Sequence, residues 1–187
     1  MKCSVFIATS VDGYIATPDG GVDWLEAAGD PGADMGDCAD MGFGAYLASV
    51  DCMIMGRKCL EKIASFELTP EQWPYGDIPI VTLSNTLSAV PAGLPPTVEL
   101  YSGKIDVLIE QLEARGCSHA YVDGGATITG LLELGLINEI TLTRAPVILG
   151  GGLPLFGELS RNIKLEQARA QAYPNGFVQE RYQVSYR

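Results

Sequence analysis

The chain has one histidine, His119, and five cysteines with no Cys-x-x-Cys pair among its 187 residues. A histidine-rich metal centre is therefore impossible, and neither a zinc site nor a disulfide framework is expected. A Ser-His-Asp triad would have to use His119, which falls where a strand begins and reads as an edge position. Positive charge is also scarce: 12 Lys and Arg stand against 23 Asp and Glu, a formal charge of -11. Such a surface repels a nucleic-acid backbone and an anionic membrane alike, so neither is expected as a partner. No apolar run reaches the roughly 18 residues of a membrane span. The apolar start, Val5 to Ala8, is too short for a signal peptide and runs into Asp12 and Gly13. Cytoplasm is the expected compartment.

What is present is material for a core. Hydrophobic residues make up 47% and charged residues 19%, which disfavours disorder, and the length suits a single domain over 1–187. "MKCSVFIA" reads as a buried strand, followed by the turn-rich loop "TSVDGYIATPDGG". The long segment "DWLEAAGDPGADMGDCAD" has no period, and loops of that length are often functional. Phe43, Tyr46, Leu47 and Val50 predict a helix over Asp40–Val50. A strand at Cys52–Met55 turns at Gly56 into a helix from Lys58. "IPIVTLS" and "TVELY" follow as strands behind proline-marked connections. A helix over Ile105–Leu112, the strand "HAYVDGG", a helix over Ala126–Leu134 and the strand "INEITLTRA" continue the alternation. This order predicts a largely parallel sheet covered on both faces.

The last two runs, "NIKLEQARA" and "GFVQERYQVSY", are joined near "YPNG" and predict an antiparallel hairpin. Val178, Tyr182 and Val184 share one face of its second strand; Gln179, Arg181 and Gln183 share the other. The fold class is thus α/β, with eight strands in a mixed sheet.

Two strand-glycine-helix junctions carry the chemistry. At Gly124-Gly125 the missing side chains fit either tight packing of strand on helix or an anion resting on the helix N-terminus, with Thr127 adding a hydroxyl. A P-loop is excluded, because Leu131 and Leu132 stand where Lys and Ser or Thr would meet phosphate and metal. A G-x-G-x-x-G fingerprint is absent, which disfavours an ordinary Rossmann site. At "MGRK", Arg57 and Lys58 begin a helix whose dipole opposes positive charge there; an anionic ligand explains them, and so does a solvated surface pair.

"SVFIATSVDGYIA", "VDCMIMGRKCLEKI", "IVTLS", "AYVDGGATITGLLELGLINEITLTRAPVILGGGLPLF" and "NGFVQERYQV" together resemble the dihydrofolate-reductase-like superfamily over nearly the whole chain. More narrowly they resemble stand-alone bacterial proteins similar to the reductase domain of riboflavin biosynthesis. The resemblance implies a single-domain, three-layer fold that binds NADPH at the carboxyl ends of its parallel strands. Carried over by position, Gly56, Arg57, Lys58, Gly124, Gly125, Ala126 and Thr127 would meet the cofactor phosphates. Ala8 would lie beside the nicotinamide, and Ser84 would face the adenosine ribose. Asn85 and Thr86 stand where NADPH-selective relatives place an arginine, so NADH is a possible cofactor.

The resemblance further implies an NADPH-dependent oxidoreductase of the dihydrofolate reductase or riboflavin-pathway pyrimidine reductase type, without a metal. Its substrate would be a small pterin- or pyrimidine-like heterocycle. Asp40, 17 residues before Arg57, has the spacing of the carboxylate that holds the substrate ring and assists protonation; as a residue type it also suits a helix cap. Trp24 is a candidate substrate-side lid in the first loop, and Leu149–Gly157 a brace for that loop. A homodimer is expected. The competing reading is a non-catalytic nucleotide-binding module or dimeric scaffold on the same fold.

Overall fold

Alternating side chains explain how the sheet comes to be covered on both sides. The computed structural model describes residues Met1–Arg187. Its parallel strands are β1 (Lys2–Thr9), β3 (Cys52–Gly56), β4 (Ile80–Leu83), β5 (Val98–Tyr101), β6 (His119–Asp123) and β7 (Glu139–Arg144). In β3, Cys52, Met53, Ile54 and Met55 are all fully buried, as expected for a strand packed on both faces. Cys52 and Ile54 join one core cluster with Val5, Val122 and the helices α4 (Ile105–Ala114) and α5 (Gly125–Glu133). Met53 and Met55 join the other with Tyr121 and the helices α2 (Phe43–Leu47) and α3 (Arg57–Ala64). Period-two alternation thus divides the apolar residues between two cores and gives three layers.

With two further strands, β9 (Lys164–Ala172) and β10 (Val178–Ser185), the sheet has eight strands in the order β5-β4-β3-β6-β1-β7-β10-β9. The pair β9 and β10 forms the antiparallel hairpin at one edge, β10 also pairing antiparallel with β7. The eight-stranded mixed sheet of the sequence reading is therefore present. Two short strands outside it, β2 (Tyr14–Ala16) and β8 (Leu153–Pro154), pair with each other and were not anticipated. They join the first loop to the glycine-rich loop after β7. A single helical turn, α1 (Trp24–Ala27), interrupts the long loop.

Helix α2 is shorter than the expected Asp40–Val50. Gly42 precedes it with φ +83°, a left-handed conformation that stops the helix from extending backwards. No helix is long and apolar enough to cross a membrane.

Candidate active site

The carboxyl ends of the parallel strands converge on one rim. Register pairs Met55 with Asp123 and Gly56 with Leu83, so the starts of α3 and α5 and the residue Ser84 stand in a row. In α5 the first intrahelical bond runs from the Ile128 amide to the Gly124 carbonyl at 2.8 Å. The amides of Gly125, Ala126 and Thr127 precede it and point out of the helix end as free donors. By the same geometry α3 presents the amides of its first turn.

The glycines at these junctions have a packing reason. A Cβ on Gly125 would lie 2.7 Å from the Pro154 carbonyl oxygen and 2.9 Å from that of Leu155. One on Gly124 would meet Cys59 Sγ at 2.5 Å, and Gly124 itself has φ +92°. A Cβ on Gly56 would meet Thr127 Oγ1 at 2.8 Å. Close approach of the Pro154–Leu155 backbone to Gly125, of Cys59 to Gly124 and of Thr127 to Gly56 therefore accounts for the missing side chains, while the helix-end donors remain. Packing and anion binding are compatible here.

Arg57 donates to Glu61 at 3.0 Å, an i,i+4 pair with both partners substantially exposed. Such a pair contributes only about 0.3–0.5 kcal/mol, so an incoming anion can take the guanidinium over. Lys58 is exposed. The Ser84 hydroxyl accepts from the amides of Leu87 at 2.9 Å and Thr86 at 3.2 Å, which leaves its own proton to give. Asn85 and Thr86 are exposed. One strand further, Tyr101 pairs with Leu83, and Lys104 at the start of α4 brings an exposed cation to this end of the sheet.

Beside the rim lies a cavity of about 350 Å³ whose walls include Phe6, Ala8, Leu25, Asp40, Phe43 and Thr143. It is apolar except for Asp40 and Thr143. The Asp40 carboxylate accepts from the amides of Gly44 at 2.8 Å and Gly42 at 2.9 Å. These bonds, that of Gly44 first, hold its pKa below the usual carboxylate range. Asp40 is therefore an ionised acceptor that also caps α2, and it has no proton of its own to donate near neutrality. Thr143 Oγ1 accepts from Gln179 Nε2 at 3.0 Å, and the same amide donates to the Met41 carbonyl at 3.0 Å. That link ties the cavity floor to the loop bearing Asp40.

Trp24 is not in the cavity wall. It packs against the cluster of Ala145, Tyr173 and Phe177, and its indole N–H is buried without an acceptor; its neighbour Leu25 faces the cavity instead. Leu25, Thr143 and Gln179 had no signal in the sequence beyond Gln179's place on the polar face of β10. The glycine-rich loop does hold the first loop: the Asp12 carboxylate accepts from the amides of Gly150 at 2.8 Å and Leu149 at 3.1 Å.

Two further groups at the sheet are chemically quiet. Burial, and then the charge of Asp123, pushes the Cys59 thiol up to about 12, so it is not a nucleophile. His119 Nε2 lies 2.7 Å from Ser4 Oγ, and its Nδ1 lies 2.7 Å from the Ser49 carbonyl. Ser4 is completely buried, and Asp51 accepts from the Ser118 and His119 amides rather than from the imidazole. No hydrolytic triad exists.

The RibD C-terminal domain model matches residues 2–179. The chain belongs to the RibD C-terminal domain family. Within that RibD-type setting, the Bacillus subtilis (strain 168) protein YwjB is 30% identical over 165 residues, covering 88% of this chain and 87% of that one. A candidate riboflavin biosynthesis protein from Shewanella sp. PV-4 superposes with a TM-score of 0.88 at 39% identity, covering 99% of both chains. A dihydrofolate reductase from Enterococcus faecalis, complexed with NADP(H), shares the fold at a TM-score of 0.64 and 12% identity, covering 98% of this chain and 96% of its own. Family and fold together support an oxidoreductase of the riboflavin-pathway reductase type.

Proposed function

We propose that this RibD-type protein is an NADPH-dependent reductase that transfers hydride to a C=N or C=O group of a small pterin- or pyrimidine-like heterocycle. The observation that carries the reading is the juxtaposition of two helix N-termini, α3 and α5, with an apolar cavity whose wall contains Ala8. Helix-end amides suit a pyrophosphate, and the cavity suits an aromatic ring held with few polar contacts. The donor set fits a nicotinamide dinucleotide: Gly125, Ala126, Thr127 and the first turn of α3 would hold its phosphates, with Arg57 and Lys58 adding charge. Ser84 would donate to the adenosine ribose, and Lys104 would supply the cation that Asn85 and Thr86 do not. The nicotinamide, when bound, supplies the hydride.

The protein's own part is placement. Asp40, ionised and fixed by two amides, accepts hydrogen bonds from ring N–H groups of the substrate and sets which ring face meets the cofactor. The proton that completes the reduction comes from solvent, because Asp40 holds none. Phe6, Phe43 and Leu25 keep water from the hydride path. A homodimer is part of the same reading.

The test is NADPH oxidation in the presence of a panel of reducible pterins and aminopyrimidines. An accepted substrate should lose roughly 10²-fold or more in kcat/KM in Asp40→Asn, on the scale of a displaced positioning group, without loss of NADPH binding. Full turnover by that variant would remove Asp40 from the site.

A further inference from the structure

At the far edge of the sheet, Arg181 of β10 stands directly across from Arg169 of β9. Like charges facing each other across an antiparallel pair are destabilising, and the chain has only 12 cations among 187 residues. The local acids do not resolve the conflict. Arg181 donates to Glu139 Oε2 at 2.8 Å, but that oxygen also accepts from Gln183 Nε2 at 2.8 Å and lies 3.6 Å from Lys2 Nζ. Glu166, paired with Gln183 in the register, is held by Lys164 Nζ at 2.7 Å. Arg169 is exposed and takes part in none of the ion pairs. Lys2 and Arg181 thus share the single carboxylate of Glu139 while Arg169 has none, which leaves a positive spot on an acidic protein.

The surface between the two arginines is concave. A cavity of about 110 Å³ is lined by Gln167, Arg169, Arg181, Tyr182 and Gln183. Gln167 sits in the β-bulge of β9 with φ +54°, a left-handed backbone that glutamine rarely adopts, and the bulge places it in this wall. Four of the five lining side chains carry N–H donors, and none carries a carboxylate. This cavity shares no residue with the one that contains Ala8 and Asp40. The link from Gln179 to Met41 and Thr143 stands between them on β10.

We propose that this concavity is a binding site for a small oxyanion, a phosphate group or a carboxylate, clamped by the guanidinium groups of Arg169 and Arg181 with the amide of Gln167 as a neutral donor. Planar guanidinium forks match both oxyanions bidentately, and an anion between them turns their mutual repulsion into attraction. The site stands independently of the reductase reading.

The experiment is an NMR titration following arginine Nε–H resonances, with inorganic phosphate in one arm and acetate in another, at ionic strength held constant with chloride. Saturable shifts of Arg169 and Arg181 in either arm, at least tenfold weaker in Arg169→Gln and unchanged in Arg57→Ala, support the site. The arm that saturates identifies the oxyanion. Shifts confined to Arg57 at the start of α3, non-saturating shifts in both arms, or equal binding by Arg169→Gln would each overturn it. Arg169 is exposed, so loss of folding does not obscure the comparison.

Discussion

Gly125→Ala sets two effects of opposite sign against each other at the start of α5. Alanine is a better helix former than glycine by about 1 kcal/mol, and Gly125 has no left-handed backbone to lose. On propensity alone the variant would be more stable. Its Cβ, however, would sit 2.7 Å and 2.9 Å from two backbone carbonyl oxygens, those of Pro154 and Leu155. Neither atom can swing away as a side-chain tip could. Relief requires β8 to move away from α5, and overpacking of that kind costs roughly 1–3 kcal/mol. With two backbone contacts the upper end applies, so the net loss is about 2 kcal/mol. For a domain of this size that lowers Tm by about 4–8 °C. Urea denaturation should show a lower midpoint with an unchanged slope. Unchanged or raised stability would mean that β8 rests loosely on α5, and the packing explanation of the glycine would fall.

Two predictions concern charge. Lys104→Ala should weaken NADPH binding by about tenfold or more while leaving NADH binding within about twofold, since one partly exposed charged hydrogen bond contributes roughly 1.5 kcal/mol; equal loss for both cofactors in a fluorescence titration would remove Lys104 from the 2′-phosphate. His119 should make stability depend on pH. The Ser49 carbonyl can only accept, so Nδ1 carries the proton and Nε2 accepts from Ser4 in the neutral imidazole. Burial is the chief cause that holds its folded pKa below the usual value. The folded state therefore binds fewer protons than the unfolded one, and His119's contribution is present above about pH 6.5 and lost as pH falls through the depressed pKa. Urea midpoints between pH 7.5 and 5.5 should drop more for the wild type than for His119→Gln; parallel drops would show that the imidazole titrates alike in the folded and unfolded states.

The hairpin was legible because period two is a local property: Val178, Tyr182 and Val184 separate from Gln179, Arg181 and Gln183 by position alone, and the register places the two sets on opposite faces. The pairing of β2 with β8 was not legible. These elements have three and two residues, too few for a pattern, and they are held by long-range bonds such as that from the Leu155 amide to the Gly13 carbonyl. The helix expected over Asp40–Val50 lost its first turn to the left-handed Gly42, a backbone choice that apolar spacing does not reveal. In the site, Ala8 and Asp40 were singled out separately, and tertiary structure puts them in one cavity wall. Trp24 and Leu25 show the opposite case. They are neighbours on a one-turn helix and both pack against the cluster of Ala145, Tyr173 and Phe177, yet only Leu25 lines the cavity, a difference that tertiary structure alone reveals.

Nicotinamide cofactor binding is the central claim, and equilibrium titration of the protein with NADPH, followed by nicotinamide fluorescence, tests it most directly with Arg57→Ala alongside. The account predicts saturable binding by the wild type and binding weakened about tenfold by the variant, whose fold is untouched because the Arg57–Glu61 pair contributes so little. Absence of saturable binding by the wild type would contradict it, leaving Gly124 and Gly125 as packing devices on a scaffold without a cofactor.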